Sequence, residues 1–325
     1  MRSAMHHQFG DPAQVLLLSD SPVPEPGPGE VRIRMQLAPI HNHDLWTIRG
    51  QYGYKPTLPA IGGSEGLGVV DALGAGVEGI AVGQRVATAS ARGTWAEYFV
   101  APARMVIPMP DAIADETAAQ LIAMPLSALM LLEFLQVERG RWIVQNAANG
   151  AVGKTLAMLA AARGIRVLSL VRRDAGVDEL AAIGVDNVVS TATPGWMDPA
   201  KALLGDALAS AAVDSVSGQA SAELVALLGE NGMLVSFGAM SGEPMQVPSG
   251  DAIFRGVTMK GFWGSRVSRD MSVADKRRLV GELIQRALDG ELRLPVDAIH
   301  DLADAANAAA ASLQPGRNGK VLLRA

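Results

Sequence analysis

Residues 141–173 read RWIVQNAANGAVGKTLAMLAAARGIRVLSLVRR. An apolar run, Trp142–Val144, enters a polar turn holding Asn146, Asn149, Gly150 and Gly153. A helix-period apolar face follows (Val152, Leu156, Leu159, Ala160), Gly164 ends it, and Val167–Val171 forms a second apolar run. The pattern predicts strand, turn, helix, strand: the unit that lays a dinucleotide pyrophosphate on a helix N-terminus, where unpaired N–H groups and the positive end of the helix dipole meet negative charge. Its spacing, Ala147-x-x-Gly150-x-x-Gly153, is a variant of the three-glycine fingerprint, and the flanking strand and helix make it evidence.

The end of the second strand bears on the cofactor. NAD sites carry an acid about 20 residues past the glycines to accept from the ribose 2′-hydroxyl. Here Arg172 and Arg173 stand first and Asp174 follows. A guanidinium fork pairs with phosphate oxygens, which favours NADPH. The alternative is that both arginines are solvated charges at a strand end.

Outward from this unit, strands and helices alternate to about residue 259. The strands are Val185–Val189, Val213–Val216 and Met233–Phe237, with a helix at Ala220–Leu228, and this implies a doubly wound parallel sheet. Residues 1–110 are different. Short apolar runs (Val15–Leu18, Val31–Met35, Gly68–Leu73, Arg85–Ala89, Tyr98–Ala101) are separated by Gly/Pro turns, which predicts a mostly antiparallel β module beginning near His6 and His7. Ala118–Leu135 reads as a helix bridging the two regions. Helices at Ala274–Asp289 and Ala303–Leu313 and a last strand, Lys320–Leu323, are expected to pack back on the first module. The fold class is α/β in two domains, 1–116 with 261–325 and 117–260.

At 325 residues with 49% hydrophobic and 19% charged residues the chain is globular. A net charge of −5 gives no footprint for nucleic acid. No run of 18 apolar residues could span a bilayer, and the N-terminus lacks a signal peptide's apolar core, so a cytoplasmic location with no membrane partner is expected. The chain has no cysteine, which rules out thiolate nucleophiles, disulfides and cysteine zinc ligands. His41, His43 and Asp44 resemble a metal cluster, but residues i and i+2 in a β-like turn point apart, and no metal site is expected.

Together APIHNHDLWTIRGQYGYKPTLPAIGGSEGLGVV (38–70), GTW (93–95), VQNAANGAVG (144–153), VSFGAM (235–240) and GFW (261–263) resemble the zinc-independent branch of the medium-chain dehydrogenase/reductase superfamily. Within it they resemble mitochondrial-type trans-2-enoyl-thioester reductases, with quinone oxidoreductases as near cousins. The resemblance spans about Gly10 to Leu323. It implies a GroES-like β domain beside a Rossmann domain. Zinc-dependent members place Cys where His41 stands and His where Ser64 stands, with a further ligand near Ala123–Met124.

The resemblance also assigns roles. Tyr52 matches the catalytic tyrosine of the enoyl reductases. Hydride addition to the β-carbon of an unsaturated thioester creates an enolate that needs a donor, and a tyrosine hydroxyl, with a reference pKa of about 10, is protonated at neutral pH. Tyr54 is the competing hydroxyl, and either could simply line a loop. Trp263 matches a tryptophan beside nicotinamide and substrate, the alternative being core packing, and Trp95 is a candidate for the same cleft. Asn149, Gly150, Ala151, Val152 and Gly153 match the phosphate turn, and Phe237, Gly238, Ala239 and Met240 match a nicotinamide-side loop. Phe262 flanks the ring, Ser127 aligns with a hydroxyl contact, and Lys320 matches a C-terminal lysine. Met124 replaces a family asparagine and cannot hydrogen-bond comparably. Arg266, Arg269, Lys276, Arg277 and Arg278 either meet a carrier's phosphates or form a solvated helix face.

The expected activity is NADPH-dependent reduction of enoyl thioesters on CoA or acyl carrier protein. The alternatives are quinone or small-enone reduction, and a non-catalytic NADPH-binding protein. An edge strand around Val257–Lys260 predicts a homodimer.

Overall fold

A computed structural model describes every residue of the chain except Ser90 and Ala207. The chain divides into two compact units, Met1–Ala123 with Leu294–Ala325, and Met124–Arg293.

The first unit is built on the long strand Glu30–Pro39. Its alternation buries Val31, Ile33, Met35 and Leu37, the period-2 pattern of a half-buried strand. It pairs antiparallel with Gly66–Leu73, with Tyr98–Pro102 and with the last strand, Lys320–Arg324. Arg85–Thr88 and Ile107–Pro108 extend the sheet at one side. A smaller antiparallel sheet joins Leu17–Asp20, Arg2–His6 and Ala60–Ile61. The core beneath gathers Ile33, Val70, Trp95 and Phe99 with Leu302 and Val321 from the C-terminal segment.

The second unit is a six-stranded parallel sheet. Its spatial order is Val188–Ser190, Arg166–Val171, Trp142–Gln145, Ala209–Asp214, Leu228–Ser236 and Thr258–Gly261. Numbered along the chain this is 3-2-1-4-5-6, the doubly wound order whose direction reverses between the first and fourth strands. That switch point falls between Trp142–Gln145 and Ala209–Asp214.

Several local expectations change. Val15–Leu18 is not one strand: Pro12–Val15 is a helical turn, capped by the Asp11 side chain with Pro12 at its first position, and the strand begins at Leu17. Ala118–Leu135 is two helices, Asp115–Ala118 and Ala123–Leu135. The strand Val296–Asp301, which the sequence pattern did not suggest, runs parallel to Lys320–Arg324. The division of the chain also differs from the expected one, because residues 261–293 belong to the second unit. The helix Val273–Leu288 is held there by charge: Arg163 bonds Glu282 at 2.7 Å, and Arg278 bonds Glu133 at 2.7 Å.

Candidate functional site

In the second unit the chemistry gathers at the switch point. Asp214, fully buried at the end of its strand, accepts from Asn146 Nδ2 at 2.7 Å and from the N–H groups of Val216 and Ser217, both at 2.9 Å. Its second oxygen accepts from Ser221 Oγ at 2.6 Å. Asn146 returns its own carbonyl oxygen to the Ser215 N–H at 2.7 Å. Two neighbouring strand ends are thus cross-linked where a buried carboxylate can meet all its acceptors' needs. The loop Phe237–Met240 hangs from the same place: the N–H groups of Phe237 and Gly238 bond Asp214 O, and that of Met240 bonds Ser215 O. Asp214 and Asn146 escaped the sequence reading, although Asn146 stands inside the quoted turn.

The turn itself fits a dinucleotide phosphate. Gly150 caps the helix Ala151–Ala162, and among the described residues no side-chain cap bonds its first N–H groups, which suits an anion there. A Cβ on Gly153 would come within 2.8 Å of the Ala148 backbone, so only glycine lets helix and turn approach. Ala147 lies at φ 49°, the left-handed region where the usual fingerprint has glycine. Asn149 donates to Glu179 Oε2 at 2.6 Å, while its own side-chain carbonyl oxygen is buried without a partner among the described residues. Arg173 is paired with Glu179 at 3.1 Å, and Arg172 is exposed with no ion-pair partner among the described residues. Ala151 and Val152 form the first helical turn.

The other expected residues of this unit separate by burial. Phe262 is buried, stacked on Phe237 at 5.9 Å and edge-on to Phe134 at 5.4 Å. Trp263 beside it is 54% exposed and Met240 69%, so Trp263 is not a core tryptophan. Ser127 lies against Gly264. Of the five basic residues after GFW, Arg278 is committed to Glu133 and Asp275.

In the first unit the histidines are not splayed. His41 is the N-cap of the helix Asn42–Ile48, and Asp44 reaches back to accept the His41 N–H at 3.0 Å. The helical start, rather than a β-like turn, brings the His41 and His43 rings into a stack with centroids 5.0 Å apart. His41 Nε2 meets Glu65 Oε2 at 2.7 Å, both side chains wholly buried. Glu65 Oε1 accepts from the N–H groups of Ile122 at 2.9 Å and Ala123 at 2.7 Å. Burial pushes the Glu65 carboxyl up to about 7 against these hydrogen bonds. Burial, with Lys320 and His43 nearby, holds the His41 imidazole well below its ordinary range. Below about pH 7 the bridging proton therefore sits on Glu65, which donates it to the neutral His41 at Nε2.

Lys320 donates to Ile40 O at 3.3 Å, and desolvation lowers its ammonium to about 8 although Asp44 and Glu65 oppose the shift. Tyr52 packs on His43 with ring centroids 5.8 Å apart, and among the described residues nothing hydrogen-bonds its hydroxyl. Tyr54 differs. Arg92 donates to its hydroxyl at 2.8 Å and covers its ring at 4.0 Å. Trp95 does not line a cleft. It is fully buried against Gly62 and Gly63 and donates to Pro39 O at 3.3 Å.

Known proteins agree with this architecture. The chain matches the Alcohol dehydrogenase GroES-like domain over residues 27–111 and the Zinc-binding dehydrogenase model over residues 151–277. The mitochondrial enoyl-(acyl-carrier-protein) reductase of Homo sapiens is 32% identical over 99% of this chain and 88% of its own length. The chain belongs to the medium-chain dehydrogenase/reductase superfamily. It is an oxidoreductase. A solved mycobacterial quinone oxidoreductase superposes with a TM-score of 0.88 at 29% identity, covering 100% of both chains. A mycobacterial structure complexed with NADPH gives the same values. The donor set does not fit the zinc in the second model's description. There is no cysteine, His41 and His43 are engaged with Glu65 and Ser64, and among the described residues no three His, Cys, Asp or Glu side chains group to hold a metal. Among those residues, too, no helix is long and apolar enough to cross a membrane.

The raised Glu65 carboxyl has a consequence for stability. The folded protein keeps that proton up to about pH 7, while the unfolded chain releases it near 4.5. Folding therefore costs more as pH rises through that window. His41, lowered in the fold, acts in the opposite sense as pH rises toward 6.5, so the variant difference is the clean readout. Glu65→Gln keeps the backbone acceptor and removes the titration. Its melting temperature relative to wild type should improve as pH rises from 4.5 to 7 and level off above; a pH-independent offset would contradict the buried carboxyl's protonation.

Proposed function

We propose that this protein is a zinc-independent, NADPH-dependent reductase of activated carbon–carbon double bonds, acting on trans-2-enoyl thioesters. The observation that carries the reading is Tyr52, whose ring packs on His43 and whose hydroxyl has no hydrogen-bond partner among the described residues, in a chain that aligns over 99% of its length with a mitochondrial enoyl-(acyl-carrier-protein) reductase. NADPH is favoured by the exposed Arg172, by Arg173, and by the phosphate turn at Asn149–Gly153. Bound NADPH supplies a hydride to the β-carbon of the substrate. The electron pair of the double bond then moves toward the thioester carbonyl, giving an enolate. Tyr52 donates a hydrogen bond to that developing charge and its proton to the α-carbon, leaving a saturated thioester. The Asn149 carbonyl oxygen and the N–H groups after Gly150 hold and orient the cofactor. Met240 and Trp263, both exposed, are assigned to the nicotinamide side of the cofactor. Lys320, tied to Ile40 O, and Ser127 are assigned cofactor contacts, and Phe262 buttresses Trp263.

Quinone or enone reduction is the second reading. Met124, in place of the family asparagine, and the likeness to a quinone oxidoreductase favour it. We also propose a homodimer. All four residues of the edge strand Thr258–Gly261 are exposed, Ile253 is 70% exposed, and Phe254 is 85% exposed. Pairing the edge with a second copy would satisfy its open hydrogen bonds. Light scattering should return twice the 33.9 kDa chain mass, and a monomer would refute the pairing.

NADPH oxidation with crotonyl-CoA, a quinone and a simple enone, each against NADH, separates the two readings. Turnover should be highest with the thioester and NADPH. Tyr52→Phe should lower kcat by about 10²-fold or more with NADPH binding intact. Unchanged turnover in that variant would remove Tyr52 from the mechanism.

A further inference from the structure

The reading of Tyr52 as proton donor leaves one question of chemistry: after each turnover the phenolate needs a proton. The groups around it supply a route. Ser64 Oγ donates its single hydrogen to Asp44 Oδ1 at 2.7 Å. It can therefore only accept from the other side, where His43 Nε2 lies 2.8 Å away. The hydrogen-bond count thus puts the His43 proton on Nε2 and leaves Nδ1 as a basic lone pair. Asp44 is itself fixed, because its other oxygen holds the His41 N–H at 3.0 Å. Its Oδ1 also lies 3.5 Å from His43 Nε2, near enough to stabilise an imidazolium. The His43 side chain is 26% exposed, so solvent protons reach it, unlike His41 and Glu65 behind it. One neighbouring ring is His41, kept neutral by burial, and the other is Tyr52. Among the described residues Asp44 and Glu65 are charged groups that act on it, and Lys320 faces His41 and Glu65 behind it.

We propose that His43 is the proton relay of this site, taking a proton from solvent at Nδ1 and passing it to the Tyr52 phenolate. The step rests on the Tyr52 assignment above. It balances simply. Imidazolium and phenolate become neutral imidazole and phenol, no electron changes owner, and the net reaction consumes one solvent proton per hydride. Ser64 and Asp44 are positioning residues that set the tautomer and steady the transient charge. The arrangement is an acid–serine–histidine chain run for proton delivery, with the serine as a passive bridge instead of a nucleophile.

Kinetics on whichever acceptor the wild type reduces, and 15N imidazole spectra of the ligand-free protein, test the relay together. His43→Ala should lower kcat by about tenfold to hundredfold at unchanged NADPH KM, and added imidazole should restore it in proportion to its imidazolium fraction. Ser64→Ala should lower kcat several-fold and move the pH midpoint. The spectra should show His43 as the Nε2–H tautomer, with a titration that changes in Tyr52→Phe. Loss without imidazole rescue, or an Nδ1–H tautomer, overturns the relay. Full turnover in His43→Ala with Tyr52→Phe impaired removes the relay alone, whereas full turnover in both removes the tyrosine assignment with it. The spectra of the wild type decide the question should the alanine variant fail to fold.

Discussion

A carboxyl group sealed from water must find every partner inside the protein, and in the first unit that constraint falls on Glu65. One oxygen takes two backbone N–H groups from Ile122 and Ala123, the other takes His41. Removing either set would leave a buried acceptor unpaired, at a cost of about 1–3 kcal/mol. The strand that follows Glu65, the start of the Asn42–Ile48 helix and the end of the unit's first segment are therefore located together. Asp44, Ser64, His43 and Tyr52 inherit their places from that junction. Tyr52 sits on a loop, yet the ring it packs on belongs to a hydrogen-bonded chain running through Ser64 and Asp44, which would suit the role proposed for it.

The second unit solves the same problem with Asp214. Its four hydrogen bonds join two neighbouring strand ends at the point where the sheet order reverses. Open parallel sheets receive their ligands at that place. The phosphate turn next to it departs from the usual fingerprint at Ala147, whose positive φ shows that the backbone shape survives the loss of the first glycine. Gly153 has no such freedom, because the space its Cβ would need is occupied by backbone.

The nucleotide-binding unit was legible because its signals are local. Strand, turn, helix and strand succeed one another within residues 141–173, and the alternation continues to the edge strand. Elements that depend on distant partners were not legible. Val296–Asp301 mixes apolar and acidic residues and becomes a strand only by pairing with Lys320–Arg324. Residues 261–293 join the second unit through ion pairs to Glu133 and Arg163, more than 100 positions earlier. Trp95 is only a candidate for a cleft in the sequence, and the close approach of Gly62 and Gly63 reveals it as core. In the first unit Tyr52 was singled out by the family resemblance, but His43 and Ser64 stand 21 positions apart and His41 and Glu65 stand 24 apart. The rings of His41 and His43 stack because a helix starts at His41, a boundary without the usual Ser, Thr, Asp or Asn signal.

The central claim is that this chain adds a cofactor hydride to one carbon of an activated double bond and a solvent-derived proton to its neighbour. Reduction of crotonyl-CoA with 4-deuterated NADPH in ordinary water, followed by NMR of the butyryl product, tests it directly. Deuterium at the β-carbon and hydrogen at the α-carbon is the predicted pattern. Absence of butyryl product, beside ready consumption of NADPH by quinones, would contradict the account.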